Sequence, residues 1–300
     1  MDAKILKTCT LCPRNCRIDR SAGKTGFCGA DDKVYLARAA LHFWEEPCIS
    51  GEAGSGAVFF SGCNLRCVYC QNHEISRMDA KKEVTVRRLA DIFIEQQERG
   101  ALNINLVTPT HYIPQIKVAL DMARDLGLEL PVVYNTSGYE TVEALKSLQG
   151  YVQVYLPDFK YMDGELAKRY SGATDYPDRA KMALAEMVQQ VGAPEFSEDG
   201  ILQKGVVVRH LVLPNCVGDS KAIIRYLYQQ YRDDIFISIM NQYTPLKQVE
   251  HIPELNRRIT QEEYDEVVDY AIALGVENGF IQEGETQSES FIPAFDFEGV

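Results

Sequence analysis

Between residues 57 and 275 the chain alternates short apolar runs with amphipathic stretches, six times over. The runs at 57–62 (AVFFSG), 102–108 (LNINLVT), 131–138 (PVVYNTSG), 151–160 (YVQVYLPDFK), 206–214 (VVVRHLVLP) and 235–245 (IFISIMNQYTP) read as buried strands. Helical stretches follow each at 84–100, 112–127, 139–150, 163–192, 220–231 and 260–275. In the first, Leu89, Ile92 and Phe93 share a face and Gly100 lies just past the end. Strand–helix alternation of this kind favours parallel strands joined by right-handed helical crossovers. Six units are fewer than the eight of a closed barrel. The α/β chain therefore forms either an incomplete (β/α)6 barrel or a doubly wound open sheet. Both place ligands at the C-terminal strand ends. Polar residues gather at those ends: Ser61 and Gly62, Thr108 and Thr110, Asn135 and Thr136, Asp158 and Lys160, Asn215, and Asn241 with Gln242.

Composition narrows the class. With 300 residues, 46% apolar and 25% charged, the chain has the make-up of a folded globular protein. No run of about 18 apolar residues occurs, so no membrane partner is expected. The N-terminus lacks an apolar signal-peptide core, which gives a cytoplasmic expectation. A net charge of -12 argues against nucleic acid as a partner, because phosphate binding needs a basic face. Three segments are delimited: a cysteine-rich N-terminal extension (1–50), the barrel (51–275) and an acidic, aromatic tail (276–300). Residues 1–30 are loop-like and locally basic, and 50–56 read as a flexible connector. The tail carries Phe280, Phe291, Phe295 and Phe297, which should pack it onto the barrel.

Seven of the nine cysteines fall in two tight groups. In a reducing compartment such clusters point to metal or catalysis rather than to disulfides. Cys48 and Cys216 stand apart and read as ordinary buried thiols. Cys63, Cys67 and Cys70 are spaced Cys-x3-Cys-x2-Cys directly after the first strand. Three thiolates on one short loop can fold around a cuboidal iron–sulfur cluster and leave the fourth iron open to a substrate or cofactor. A zinc site completed by His73 is the alternative. In the other group, Cys9, Cys12, Cys16 and Cys28 supply four thiolates, with Pro13 and nearby glycines favouring the turns that would gather them. Such a set completes a tetrahedral zinc site or a second, closed iron–sulfur cluster, or it remains a loop of reduced thiols.

The string Gly62-Cys63-Asn64-Leu65-Arg66-Cys67-Val68-Tyr69-Cys70-Gln71-Asn72 resembles the radical S-adenosylmethionine (SAM) superfamily, and within it the pyruvate formate-lyase-activating enzymes and related proteins. The resemblance spans roughly residues 55–275. It implies an incomplete six-unit barrel, a 4Fe–4S cluster on Cys63, Cys67 and Cys70, and SAM bound at the open iron. It implies an oxidoreductase that reductively cleaves SAM to a 5′-deoxyadenosyl radical for hydrogen abstraction. An electron donor such as flavodoxin or ferredoxin is implied too. Asn135-Thr136-Ser137-Gly138 resembles the activases' Asp-Thr-Asn-Gly, with a SAM-binding charge missing at Asn135. Asp158-Phe159-Lys160 resembles their Asp-Leu-Lys, and the two charged residues share a face because the side-chain period of a strand is two. They are candidates for the amino and carboxylate groups of SAM. Arg209 matches a position suited to gripping a carboxylate, and its neighbour His210 should face away and pack. One departure stands out. The family's Gly-Gly-Glu, which holds the methionyl amine, is replaced at 106–112 by a stretch with no carboxylate, leaving Thr108 or Thr110 to offer an oxygen.

The radical acceptor is open. A glycyl-radical enzyme activated by this chain, a different protein and a small molecule are all compatible with the residues. A rival of another class, a noncatalytic iron–sulfur or zinc-binding electron carrier or interaction protein, accounts for the cysteines. It leaves six β/α units with polar strand ends unexplained.

Overall fold

The computed structural model describes residues 3–282 and 293–300, and Phe291 of the tail lies outside the described residues. The chain opens with α1 (Ala3–Lys7), then β1 (Val34–His42), α2 (Pro47–Ser50), β2 (Ser55–Phe60), α3 (His73–Ser76) and β3 (Lys82–Val84). The repeated part continues through α4 (Val86–Glu98), β4 (Ile104–Val107), α5 (Ile113–Asp125), β5 (Val132–Thr136), α6 (Val142–Lys146) and β6 (Val154–Pro157). After α7 (Gly164–Ser171) and α8 (Tyr176–Val191) come β7 (Glu195–Phe196), β8 (Leu202–Leu211), α9 (Val217–Tyr231), β9 (Phe236–Met240), α10 (Gln261–Leu274) and β10 (Gly279–Ile281). Local chemistry sets the helix ends. Thr85 caps α4 by accepting from the Arg88 N–H at 3.0 Å. Thr260 and Glu263 form a capping box on α10, and Gly275 closes that helix in the left-handed region at φ 97°.

One sheet runs in the order β10-β9-β8-β6-β5-β4-β2-β1-β3, with β7 paired to β8 off this path. From β2 to β10 each strand of this path lies parallel beside its predecessor. A doubly wound sheet reverses its strand order at a switch point. This parallel run never reverses, and its edges do not meet, so the architecture is an incomplete barrel. The main core lies between sheet and helices and takes Tyr134, Tyr155 and Val208 from the strands. The opposite, concave face carries Val133, Val154, Leu156 and Val207, packed with Cys48 and Ile49 of α2, which floors the barrel. By the two-residue period, Asn105, Asn135, Asp158 and Arg209 continue this concave face toward the strand ends.

Several elements differ from the sequence reading. β1 has no counterpart in it. VYLARAALH is rich in alanine, a poor strand former, and becomes a strand through antiparallel pairing with β2. Residues 50–56 are not a flexible connector. Ser55 and Gly56 begin β2, the Gly56 N–H donates to the Asn103 carbonyl at 3.0 Å, and the Ser55 hydroxyl bonds Asn103 Oδ1 at 2.6 Å. The helical stretch 163–192 is two helices, because Gly172 ends α7 in the left-handed region at φ 58°. In the tail, Phe280 sits in the added strand β10, and the Phe295 ring meets Phe59 edge-on at 5.7 Å between centroids. The Phe297 N–H donates to Ala37 O, and the Ala39 N–H to Glu298 O. Arg38 pairs with both Asp296 and Glu298. Among the described residues no helix is long and apolar enough to cross a membrane.

Candidate active site

The loop after β2 is built around its cysteines by contacts from four elsewhere-placed segments. Gly62 lies at φ 94°, and a side-chain carbon there would sit 2.6 Å from the Cys28 carbonyl oxygen, so only glycine fits. Asn64 is buried and donates to Tyr139 O at 2.6 Å, tying the loop to the end of β5. The Val68 N–H donates to Tyr170 O at 2.8 Å. Gln71 and Gln248 bond Gln242 O and Cys70 O, joining the loop to the segment after β9. Arg14 reaches across from the N-terminal extension and donates to the carbonyls of Asn64, Leu65, Ser171 and Gly172. Held in this way, Cys63, Cys67 and Cys70 all line one cleft of about 230 Å³ at the strand ends. The Leu65 N–H donates to Cys63 Sγ at 3.3 Å and the Ser171 hydroxyl to Cys67 Sγ at 3.0 Å. Burial pushes the Cys63 thiol up, and the Cys70 thiol up to about 12. Bare thiolates would be strongly disfavoured here, whereas thiolates bound to a metal cluster are stabilised.

The polar and charged residues picked out at the third to fifth strands of the repeat meet on the facing wall. Arg209 Nε donates to Asp158 Oδ1 at 3.1 Å, and Arg209 Nη2 to Asn135 Oδ1 at 2.6 Å. Lys160 Nζ donates to Asp158 Oδ2 at 2.7 Å. Burial opposes the Lys160 ammonium, but Asp158 and then the nearby Cys67 outweigh it and raise its pKa. Burial likewise opposes the Asp158 carboxylate, and Lys160 with Arg209 overturns that and lowers its pKa. The pair is therefore charged and partly buried in the cleft wall, not a solvated surface pair.

Glu45, in the turn between β1 and α2, joins this network and was not foreseen from the sequence. Its Oε1 accepts from Asn105 Nδ2 at 3.2 Å and Asn135 Nδ2 at 3.1 Å, and its Oε2 from Arg209 Nη1 at 3.0 Å. It lines the same cleft as the three cysteines. The sequence signal was slight: two adjacent carboxylates before Pro47 at the start of a four-residue helix. Glu45 and Arg209 are 164 residues apart, so no local pattern connects them.

Other named residues fall in different places. Thr108 lines the cleft with a left-handed backbone, φ 60°, a strained state for a β-branched residue. Thr110 is buried, and its hydroxyl donates to Glu140 at 2.6 Å; the Thr136 hydroxyl donates to the same carboxylate. The Thr110 oxygen is thus spent inside the protein. His210 is packed, bonding Phe159 O and Ser220 Oγ at 2.8 Å each. Cys48 and Cys216 are buried in apolar surroundings. Among the described residues no three His, Cys, Asp or Glu side chains stand gathered round a single point, and this is true of His73 with the loop cysteines and of the four N-terminal cysteines alike. A cuboidal cluster suits spread-out thiolates, because each binds a separate iron.

A family model described as the radical SAM superfamily matches residues 57–202. An uncharacterized protein of Methanocaldococcus jannaschii, MJ0674, is 30% identical over 276 residues, covering 89% of this chain and 75% of that one. A pyruvate formate-lyase-activating enzyme of Clostridium pasteurianum is 24% identical over 188 residues, covering 60% of this chain and 70% of its own. Among solved structures, SuiB of Streptococcus suis bound to the precursor peptide SuiA superposes with a TM-score of 0.50 at 14% identity, covering 75% of this chain and 47% of SuiB. The hydrogenase maturase HydG of Carboxydothermus hydrogenoformans gives 0.53 at 12% identity, covering 79% of this chain and 56% of HydG. These two likenesses concern the fold, and this chain spans about half the length of each.

Proposed function

We propose, from the premise that this chain belongs to the radical SAM superfamily, that it is an activase-like enzyme whose hydrogen donor is a glycyl residue of a protein partner. The observation that carries the enzymatic reading is the single cleft in which the three loop cysteines face a wall of paired opposite charges. Cys63, Cys67 and Cys70 would hold the 4Fe–4S cluster, and SAM bound with it would supply reductive cleavage and a 5′-deoxyadenosyl radical that abstracts hydrogen.

The chain's own residues do the binding and positioning. The amino-acid end of SAM carries an ammonium and a carboxylate, and the wall offers partners for both. Glu45 offers the cleft a carboxylate, bonded to Asn105 of β4, the strand whose following stretch lacks the Gly-Gly-Glu carboxylate. Three of the roughly four acceptor positions of a carboxylate are already used, leaving one for an ammonium. Lys160, beside Cys67 and held by Asp158, suits the carboxylate. Arg209 spends three donors on Glu45, Asp158 and Asn135, so it acts as a brace that aims the two carboxylates. Asn135, bridging Glu45 and Arg209, supplies a neutral contact in the same wall.

A protein partner is favoured over a small molecule by the C. pasteurianum relative, which is named as an activating enzyme for another enzyme. The electron donor is a low-potential one-electron carrier of the flavodoxin or ferredoxin kind. The test is anaerobic: reconstituted protein, dithionite and SAM must release 5′-deoxyadenosine, and adding an unactivated glycyl-radical enzyme must produce a glycyl radical by electron paramagnetic resonance. Release without the protein radical would retain the SAM chemistry and refute the activase reading.

A further inference from the structure

The N-terminal cysteines are separate from the cleft yet built against it. Cys9, Cys12, Cys16 and Cys28 line one small, nearly apolar cavity of about 10 Å³. Tight turns fold the segment that carries the first three: the Cys9 N–H donates to Ile18 O at 3.0 Å, the Arg17 N–H to Cys9 O at 2.9 Å and the Asn15 N–H to Cys12 O at 3.0 Å. Asn15 and Arg17 both adopt left-handed backbone, at φ 45° and 54°. Gly26 has no room for a side chain, since an added carbon would sit 2.9 Å from Cys16 Sγ. Apolar packing of this segment is slight: Leu6, Cys9 and Leu11 with Ile5 and Ile18 form a small separate cluster, and Cys28 and Ala30 join the main core. So small a cluster does not offset the entropy of ordering such a loop.

A second observation comes from the barrel side. His111 is 2% exposed and lines the same cavity. Its Nε2 lies 2.9 Å from Ser61 O, an acceptor, so this nitrogen carries the hydrogen. The other nitrogen, Nδ1, is buried without a partner. Arg14 and Arg20 also line the cavity, and Arg20 is wholly buried and held by the carbonyls of Asp31 and His111. Guanidinium groups around four thiols suit an anionic guest.

We propose that Cys9, Cys12, Cys16 and Cys28 bind a thiophilic metal centre, zinc or iron–sulfur, closed to substrate and serving to position the loop that carries Cys63, Cys67 and Cys70. Positioning follows from where the segment is anchored. Arg14, between Cys12 and Cys16, bonds the carbonyls of Asn64 and Leu65 inside the Cys63–Cys67 turn. The Cys28 carbonyl packs on Gly62, next to Cys63. Four soft ligands leave no open coordination site, so SAM has nowhere to bind.

The test measures metal in the variant with Cys63, Cys67 and Cys70 all changed to Ala, after anaerobic reconstitution with iron and sulfide and, separately, with zinc alone. About one zinc per chain, or about four irons with matching sulfide, supports the proposal. Neither metal, in protein that keeps its circular dichroism, overturns it. Should that variant not fold, the parent protein and Cys12→Ser/Cys28→Ser are compared instead. Loss of zinc or of about four irons per chain in the double variant supports the site, and unchanged metal content overturns it. The positioning role has its own readout. Arg14→Met, with N-terminal metal retained, should speed loss of the cleft cluster to a chelator, and an unchanged rate would overturn that part.

Discussion

Glu45→Gln is the most informative single change in the cleft. The parent carboxylate takes two amide donors on one oxygen and the Arg209 guanidinium on the other. Glutamine has one oxygen to offer. Aimed at Asn105 and Asn135, it leaves its amide nitrogen against Arg209, donor facing donor. The lost contact is a charge-assisted bond, worth about 1.5–3 kcal/mol. Stability should fall by that amount, read as a lower urea midpoint with an unchanged slope. An equal loss toward the ammonium of SAM raises its Kd roughly 10- to 150-fold. The assay is equilibrium dialysis of SAM against anaerobically reconstituted protein, with iron measured on the same samples. Iron should stay at the parent level, because Glu45 touches none of the three cysteines. A lower urea midpoint with an unchanged Kd would make Glu45 only a brace for Arg209 and refute the amine assignment.

Changing Cys63, Cys67 or Cys70 singly to Ala should abolish both the cleft cluster's visible absorbance and 5′-deoxyadenosine release; full release from any one variant contradicts the site. Lys160→Met should weaken SAM roughly 10- to 150-fold at constant iron, since it removes a charge-assisted contact, and Asp158→Asn, which releases Lys160 and Arg209 from their shared carboxylate, should weaken it in the same direction; dialysis showing parent affinity in both would return the pair to a purely structural role. Burial pushes Glu140 up to about 7, despite the hydroxyls of Thr110 and Thr136. A carboxyl with a raised folded pKa favours folding while protonated, so stability falls as pH rises from the unfolded value near 4.5 to about 7 and then levels off. Cys12, Tyr134 and Tyr155 face Glu140 and stay neutral in this range. Glu140→Gln should flatten that decline by about 3 kcal/mol in metal-free protein, measured by urea titration at several pH values; a parent-like slope in the variant would contradict the shift.

What the sequence alone determined is what depends on near neighbours. The Cys-x3-Cys-x2-Cys spacing, the alternation of strand and helix periods, and the common face of Asp158 and Lys160 all follow from residues within a few positions of one another. The parallel path and the cleft at its strand ends could be read from these local regularities, because a strand–helix–strand unit has one favoured handedness. Tertiary structure decided whatever required distant partners. VYLARAALH lacks the composition of a strand and becomes β1 only because β2 pairs with it. Glu45 brings a carboxylate into the cleft because the turn before α2 carries it to an arginine far along the chain. Arg14 reads as one more basic residue in a loop, yet its guanidinium meets four carbonyls from two other segments. Side-chain periodicity records which face a residue takes within its own element. Which charges meet across the barrel depends on how the strands are stacked and curved, and that is set by packing of the whole chain.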